Sequence, residues 1–128
     1  MSKNSQNRPL SPHLTIYRPQ LNSLLSIMHR MTGIVLLLGL LLLILWFFSM
    51  ALGPDSFQTF DPLINSIIGK LILFGSLCAF WFHFFTGVRH LFWDFGMGFN
   101  LIWVKRSSYA VMVATITLII FSVLIGVV

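Results

Sequence analysis

From Ile34 to Phe48 the chain runs IVLLLGLLLLILWFF, an uninterrupted apolar stretch with no charged side chain. Few folds can absorb such a run. It belongs to a longer apolar segment, about Leu24 to Ala51, and two more follow, about Leu63 to Phe92 and about Tyr109 to Val128. A bilayer core of ~30 Å is crossed by ~20 helical residues, so each segment is long enough to span. In hydrocarbon every backbone N–H and C=O must be bonded internally, which makes each span a helix. The whole chain has 128 residues, 57% of them hydrophobic and only 9% charged, so a soluble domain of this size has nowhere to hide its apolar surface. Its mean hydropathy is +0.91. The sequence therefore predicts an all-α membrane protein. It has an N-terminal segment, residues 1–23, and a three-helix membrane domain, residues 24–128, with membrane lipid as its solvent.

The breaks and the charges give the expected topology. Gly53, Pro54, Asp55, Asp61 and Pro62 punctuate a loop after the first helix. Asp94, Gly96, Gly98 and Asn100 open a second loop, which Lys105 and Arg106 close. Lys3, Arg8, Arg18 and Arg30 lie at the N-terminal side, and Arg89, Lys105 and Arg106 at the junction of helices two and three. The first junction carries only Lys70 with Asp55 and Asp61. Positive residues favour the inner side, so the N-terminus is expected inside and the C-terminus outside. The net charge of +5 flanks apolar segments instead of forming a basic stripe among aromatics, which argues against nucleic-acid binding. No signal-peptide pattern is expected in the polar N-terminal segment, and Pro9, Pro12 and Pro19 disfavour an amphipathic transit helix. A bacterial inner membrane is the expected location, with a mitochondrial inner membrane as the alternative. Cys78 is the single cysteine and forms no internal disulfide.

The polar residues inside the apolar segments carry the chemistry. In the second segment His83 and His90 share a face with Gly87 between them, and Ser76 and Asp94 extend the same stripe. An ionisable group in a membrane segment is costly without a partner and marks function by default. For His83 two roles stand: a neutral imidazole bonded to a neighbouring helix, or a ligand. One imidazole cannot close a zinc site, yet it can hold one side of a haem iron when a second comes from elsewhere. Gly87 fits either the approach of a flat macrocycle or ordinary small-residue helix packing. At the mouth of the first segment Ser26, Arg30 and Gly33 form one stripe with His29 beside it, at the same membrane surface as His90. His83 lies ~10 Å deeper than His90. An apolar ring system on His83, with acidic tails towards Arg30, His29 and His90, fits this layout, and a guanidinium suits a carboxylate. Arg30 also fits a snorkelling role at lipid headgroups, and Ser26 a bond to its own backbone. Arg89 and Asp94 fit a helix-end polar cluster with His90. Trp81, Trp93, Trp103 and Tyr109 are expected as interface anchors and packing, and His13 as an exposed tail residue. There is no Ser-His-Asp arrangement, no phosphate-binding glycine loop and no pair of carboxylates. With no buried carboxylate and no internal repeat, transport is disfavoured.

Three stretches together resemble a known family. RPLSPHLTIYRPQ (residues 8–20), SIMHRMTG (26–33) and HFFTGVRHLFWD (83–94) are similar to the cytochrome b556 membrane anchors of succinate dehydrogenase, in respiratory complex II. The signatures SxxHRxxG and HxxxxxRHxxxD are specific in combination, and the likeness covers nearly the whole chain. The resemblance implies that His83 is an axial ligand of haem b, with the other ligand supplied by a second membrane anchor subunit. It implies that Ser26 and Arg30 line the ubiquinone site, and that His29, Arg30 and His90 lie on the haem propionate side. It also implies an iron–sulfur subunit and a flavoprotein subunit as partners. Succinate would be oxidised at the flavoprotein and no catalytic residue for that step would lie in this chain. Two rival expectations remain: a haem-free quinone-binding anchor of a succinate dehydrogenase or fumarate reductase type complex, and a small membrane packing or assembly protein with no redox role.

Overall fold

The computed structural model describes residues 18–127. The expectations for His13 and for the prolines at positions 9 and 12 lie outside that range. Four helices follow one another: α1 (Leu21–Leu52), α2 (Pro54–Asn65), α3 (Ile67–Asp94) and α4 (Leu101–Val127). No strand occurs among the described residues. Three of the helices, α1, α3 and α4, are long and apolar enough to cross a membrane.

The first junction is a helix where the sequence predicts a loop, and the reason is visible residue by residue. Gly53, at φ 112°, turns the chain out of α1 in a conformation that suits only glycine. Pro54 then occupies the first turn of α2, where its missing N–H is not needed, and Asp55 complements the positive helix start. Pro62 lies inside α2, one turn from its end, where it forgoes one backbone hydrogen bond without ending the helix. Asp61 beside it is held on both sides, accepting from Trp46 Nε1 at 3.2 Å and from Asn65 Nδ2 at 2.8 Å. Ser66 ends α2 and caps α3, its hydroxyl oxygen accepting the Gly69 N–H at 3.1 Å. The turn is so close that a side chain at Gly69 would run into the carbonyls of Leu63 and Ile64.

The second junction is shorter than predicted, and α4 begins at Leu101, well before Tyr109. Asn100 opens it, with its side-chain oxygen accepting the Ile102 N–H at 3.1 Å. Lys105 and Arg106 lie inside the helix. Both are good helix formers, so the charge that ends an apolar run does not end the helix. Gly96 and Gly98, at φ 76° and 82°, make the reversal between α3 and α4.

The bundle is polar inside and apolar outside. Its buried hydrophobic residues are Leu25, Ile64, Ala79 and Val111, whereas Thr32, Ser49, Thr86, Arg89, Ser108 and Thr115 are all buried. Most leucines of the α1 run, among them Leu37, Leu38, Leu40 and Leu41, are exposed. Lipid tails are as apolar as leucine, so close packing and interhelical hydrogen bonds hold such a bundle together. α1 and α3 run antiparallel and form the main contact, with α4 packed chiefly on α3. Gly39 makes the closest approach: a Cβ there would overlap the Ser76 side chain. Trp81, expected as an anchor or in packing, packs against α4 and donates to Ser122 Oγ at 2.9 Å.

Candidate functional site

At the end of the α1–α3 contact three imidazoles lie in a row. The rings of His29 and His83 stack with centroids 3.9 Å apart and planes 15° apart. His90 follows, 5.1 Å from His29 and tilted by 49°. His90 in turn meets the edge of Trp93 at 5.2 Å. The structure thus brings His83, which the sequence placed ~10 Å deeper, into one row with His29 and His90, which the sequence placed at one membrane surface.

Their tautomers follow from their partners. His83 Nδ1 lies 3.0 Å from the carbonyl oxygen of His29, an atom that only accepts, so His83 Nδ1 carries the proton. Thr32 Oγ1, 3.2 Å from the same nitrogen, donates its own proton to that carbonyl at 2.9 Å and shares the His83 N–H as acceptor. His83 Nε2 is left as a neutral lone pair with no hydrogen bond among the described residues. The mirror arrangement holds His29. Thr86 Oγ1 donates to the Phe82 carbonyl at 2.6 Å and so accepts from His29 Nδ1 at 2.5 Å. Thr86 is wholly buried.

The two threonines belong to a pattern that the sequence reading missed. Residues 29–33 are HRMTG and residues 83–87 are HFFTG, so HxxTG occurs once on each helix. The chain does contain an internal repeat, five residues long. Antiparallel packing turns it into a reciprocal brace, in which each threonine serves the histidine of the other helix. Gly33 makes room for the opposite ring as well. A Cβ at Gly33 would stand 3.2 Å from His83 Cε1, and one at Gly87 would stand 3.8 Å from His29 Cε1. Gly87 therefore lies within ordinary contact of the His29 ring of this chain.

Ser26 and Arg30 flank the row without joining it. Arg30 is exposed and Ser26 half-buried, and none of the hydrogen bonds tying α1 to α3 uses either. Arg89 does not form the expected cluster with His90 and Asp94. It turns to the far side of α3, where its guanidinium lies 4.5 Å from the Trp93 ring centre and donates to Ser108 Oγ at 2.9 Å.

The donor set suits one side of a haem. No group of three or more metal-ligating side chains occurs among the described residues, so a closed multi-ligand metal centre is not built here. A haem iron asks one imidazole of each flank, with the proton on the nitrogen away from the metal and a fixed ring orientation. His83 meets both conditions.

Comparison with known proteins agrees over nearly the full length. The family described as succinate dehydrogenase/fumarate reductase transmembrane subunit matches residues 4–122. The chain is 42% identical over 125 residues to the succinate dehydrogenase cytochrome b556 subunit of Paracoccus denitrificans, covering 94% of this chain and 96% of the relative. It is 39% identical over 110 residues to the same-named subunit of Rickettsia bellii, covering 85% of each. It is 38% identical over 115 residues to the mitochondrial cytochrome b560 subunit of Sus scrofa, covering 86% of this chain and 66% of the relative. Three helices able to span, with relatives in bacteria and in mitochondria, make it a multi-pass inner-membrane protein. The chain belongs to the succinate dehydrogenase/fumarate reductase transmembrane subunit family.

Proposed function

We propose that this chain is the cytochrome b type anchor of a succinate:ubiquinone oxidoreductase, holding one face of haem b and forming part of the ubiquinone reduction site. The observation that carries the proposal is the fixed tautomer of His83, whose Nδ1–H is bound by the His29 carbonyl at 3.0 Å and whose Nε2 is free to ligate. The names of the relatives, cytochrome b556 and b560 subunits, support it. A second imidazole to hold the haem would come from a second anchor subunit, since this chain offers one well-placed ligand. The haem, when bound, supplies a one-electron store near the quinone.

The residues of this chain have distinct tasks. Thr32 and the His29 carbonyl fix the orientation of His83 and raise its basicity as a ligand. His29, Arg30 and His90 lie on the side of the haem carboxylates, where a guanidinium gives a planar, charged donor. The Ser26 hydroxyl donates to a carbonyl oxygen of ubiquinone. The Arg30 guanidinium, a fixed cation beside that oxygen, favours the negative charge that develops as electrons arrive. Ubiquinone takes up two electrons and two protons, the protons from the inner side. The electrons come from succinate, oxidised at a flavoprotein subunit and passed through an iron–sulfur subunit. The N-terminus lies inside and the C-terminus outside in this arrangement, so Ser26 and His90 face the partner that delivers electrons.

The test is a reduced-minus-oxidised spectrum of the intact complex purified through this chain, with haem counted per complex. A b-type signal in the wild type that is lost in His83→Ala, while the subunits still co-purify, supports the ligand. A wild-type complex with no such signal overturns the cytochrome role and leaves a haem-free quinone anchor. Failure of the chain to co-purify with any flavoprotein overturns the redox role altogether.

A further inference from the structure

The face of α3 opposite the histidines carries a second built site. A groove of about 460 Å³ runs between α3 and α4, walled by Phe85, Val88 and Phe92 on one side and Ala110, Val111 and Ala114 on the other. At ~100° per residue Phe85 and Phe92 point ~180° away from His83, and Trp93, which also lines the groove, stands between it and His90. Arg89 lines it and is only 5% exposed. Of its nitrogens, Nη1 is held by Ser108, whereas Nε and Nη2 are buried with no hydrogen-bond partner among the described residues. A buried guanidinium with two free N–H groups is costly until an anion meets it.

The occupant can be argued from the shape and charge of the groove. Its mouth lies where Met97, Gly98 and Trp103 close the α3–α4 turn. Arg106, exposed on α4, precedes the lining residue Ser107 in the chain and offers a second cation near the groove. Beyond the level of Ser108 the wall is purely apolar down to Ala114, ~9 Å further along the helix. The alanines at 110 and 114 keep that channel open. A site with cations and tryptophan at the membrane surface and an apolar slot below suits an amphiphile with an anionic head. We propose that the α3–α4 groove binds an anionic phospholipid, its phosphate on Arg89 with Arg106 nearby and an acyl chain along Ala110 and Ala114.

The experiment is native mass spectrometry of the intact detergent-solubilised complex, titrated with phosphatidylglycerol or with phosphatidylcholine. The wild type should bind phosphatidylglycerol about tenfold more tightly than phosphatidylcholine, a gap of ~1.4 kcal/mol. Arg89→Gln should erase that preference. Because Arg89 is buried and its loss can prevent assembly, Ala114→Phe provides an independent check. It fills the acyl slot, leaves the cation in place, and should weaken both lipids about tenfold. Equal binding of the two lipids by the wild type overturns the proposal, as does undiminished phosphatidylglycerol binding in Ala114→Phe. Displacement of phosphatidylglycerol by millimolar inorganic phosphate would show a free-anion site instead. Cross-linking of a photoreactive residue at position 110 to another subunit would show that a protein covers the groove, which also refutes a lipid.

Discussion

Replacing Thr86 by valine should hurt more than replacing Thr32 by valine, although both threonines sit in the same five-residue pattern. Valine keeps the volume and branching of threonine and removes only the hydroxyl. At Thr86 that hydroxyl is the acceptor for His29 Nδ1 at 2.5 Å, and no second acceptor serves that nitrogen among the described residues. At Thr32 the hydroxyl is the longer of two contacts to His83 Nδ1, 3.2 Å against 3.0 Å for the His29 carbonyl. Thr86→Val therefore strands a half-buried donor, whereas Thr32→Val leaves His83 bound. An orphaned buried donor costs about 1–3 kcal/mol and a hydrogen bond between membrane helices averages about 0.6 kcal/mol. We expect about 1.5 kcal/mol for Thr86→Val and about 0.5 kcal/mol for Thr32→Val on those scales. The assay is disassembly of the detergent-solubilised complex in increasing dodecyl sulfate, followed by loss of b-type absorbance and of subunit association. The double variant adds a check: the two threonines serve one stacked pair of rings, so their effects should not simply add. Equal costs, or a larger cost at Thr32, would refute the assignment of donors and acceptors in the brace.

Gly39→Ala should destabilise the α1–α3 contact by about 1–3 kcal/mol through overpacking on Ser76, and Ser76→Gly in the same chain should restore much of it, read as thermal stability of the complex. Gly69→Ala should be worse, because its Cβ meets the backbone carbonyls of Leu63 and Ile64, which have no rotamer to change; low recovery of assembled complex is the expected result. Ser26→Ala should lower kcat/KM for ubiquinone about fivefold, matching one hydrogen bond of ~1 kcal/mol, while succinate oxidation with a soluble dye is unchanged. Arg30→Gln should cost about a hundredfold in the same ubiquinone assay, and an unchanged rate in both variants would remove these residues from the quinone site.

The spans were legible because hydrophobicity over ~20 residues is a strong and local signal. What surrounds them was less so. Asp61 and Pro62 look like a loop until Trp46 and Asn65 are seen holding the aspartate, and those bonds need the chain already folded back on α1. Lys105 and Arg106 mark the end of hydrophobicity, a statement about lipid, and say nothing against a helix. The histidines stood out because an imidazole is conspicuous among leucines. The threonines that hold them did not, since a threonine in a membrane helix usually bonds its own backbone, as Thr32 and Thr86 also do. The repeated HxxTG was the available clue. Arg89 was grouped with His90 by adjacency in sequence, but neighbours on a helix point ~100° apart, and Arg89 turns to Ser108 of α4.

The reciprocal brace also sets a schedule for making the protein. His29 and His83 are 54 residues apart. At a synthesis rate of about 5–20 residues per second, the first imidazole leaves the ribosome roughly 3–10 s before the second. Through that interval α1 holds a histidine whose receiving threonine, Thr86, does not yet exist. Its place near the start of the helix keeps the ring within reach of water while it waits. Arrival of α3 brings the Thr86 hydroxyl to His29 and the His83 ring to the His29 carbonyl at one stroke, so the hairpin closes in a single event. Until then His83 has no fixed orientation, so on the proposed ligand role hairpin closure is the earliest moment at which this subunit could hold a haem.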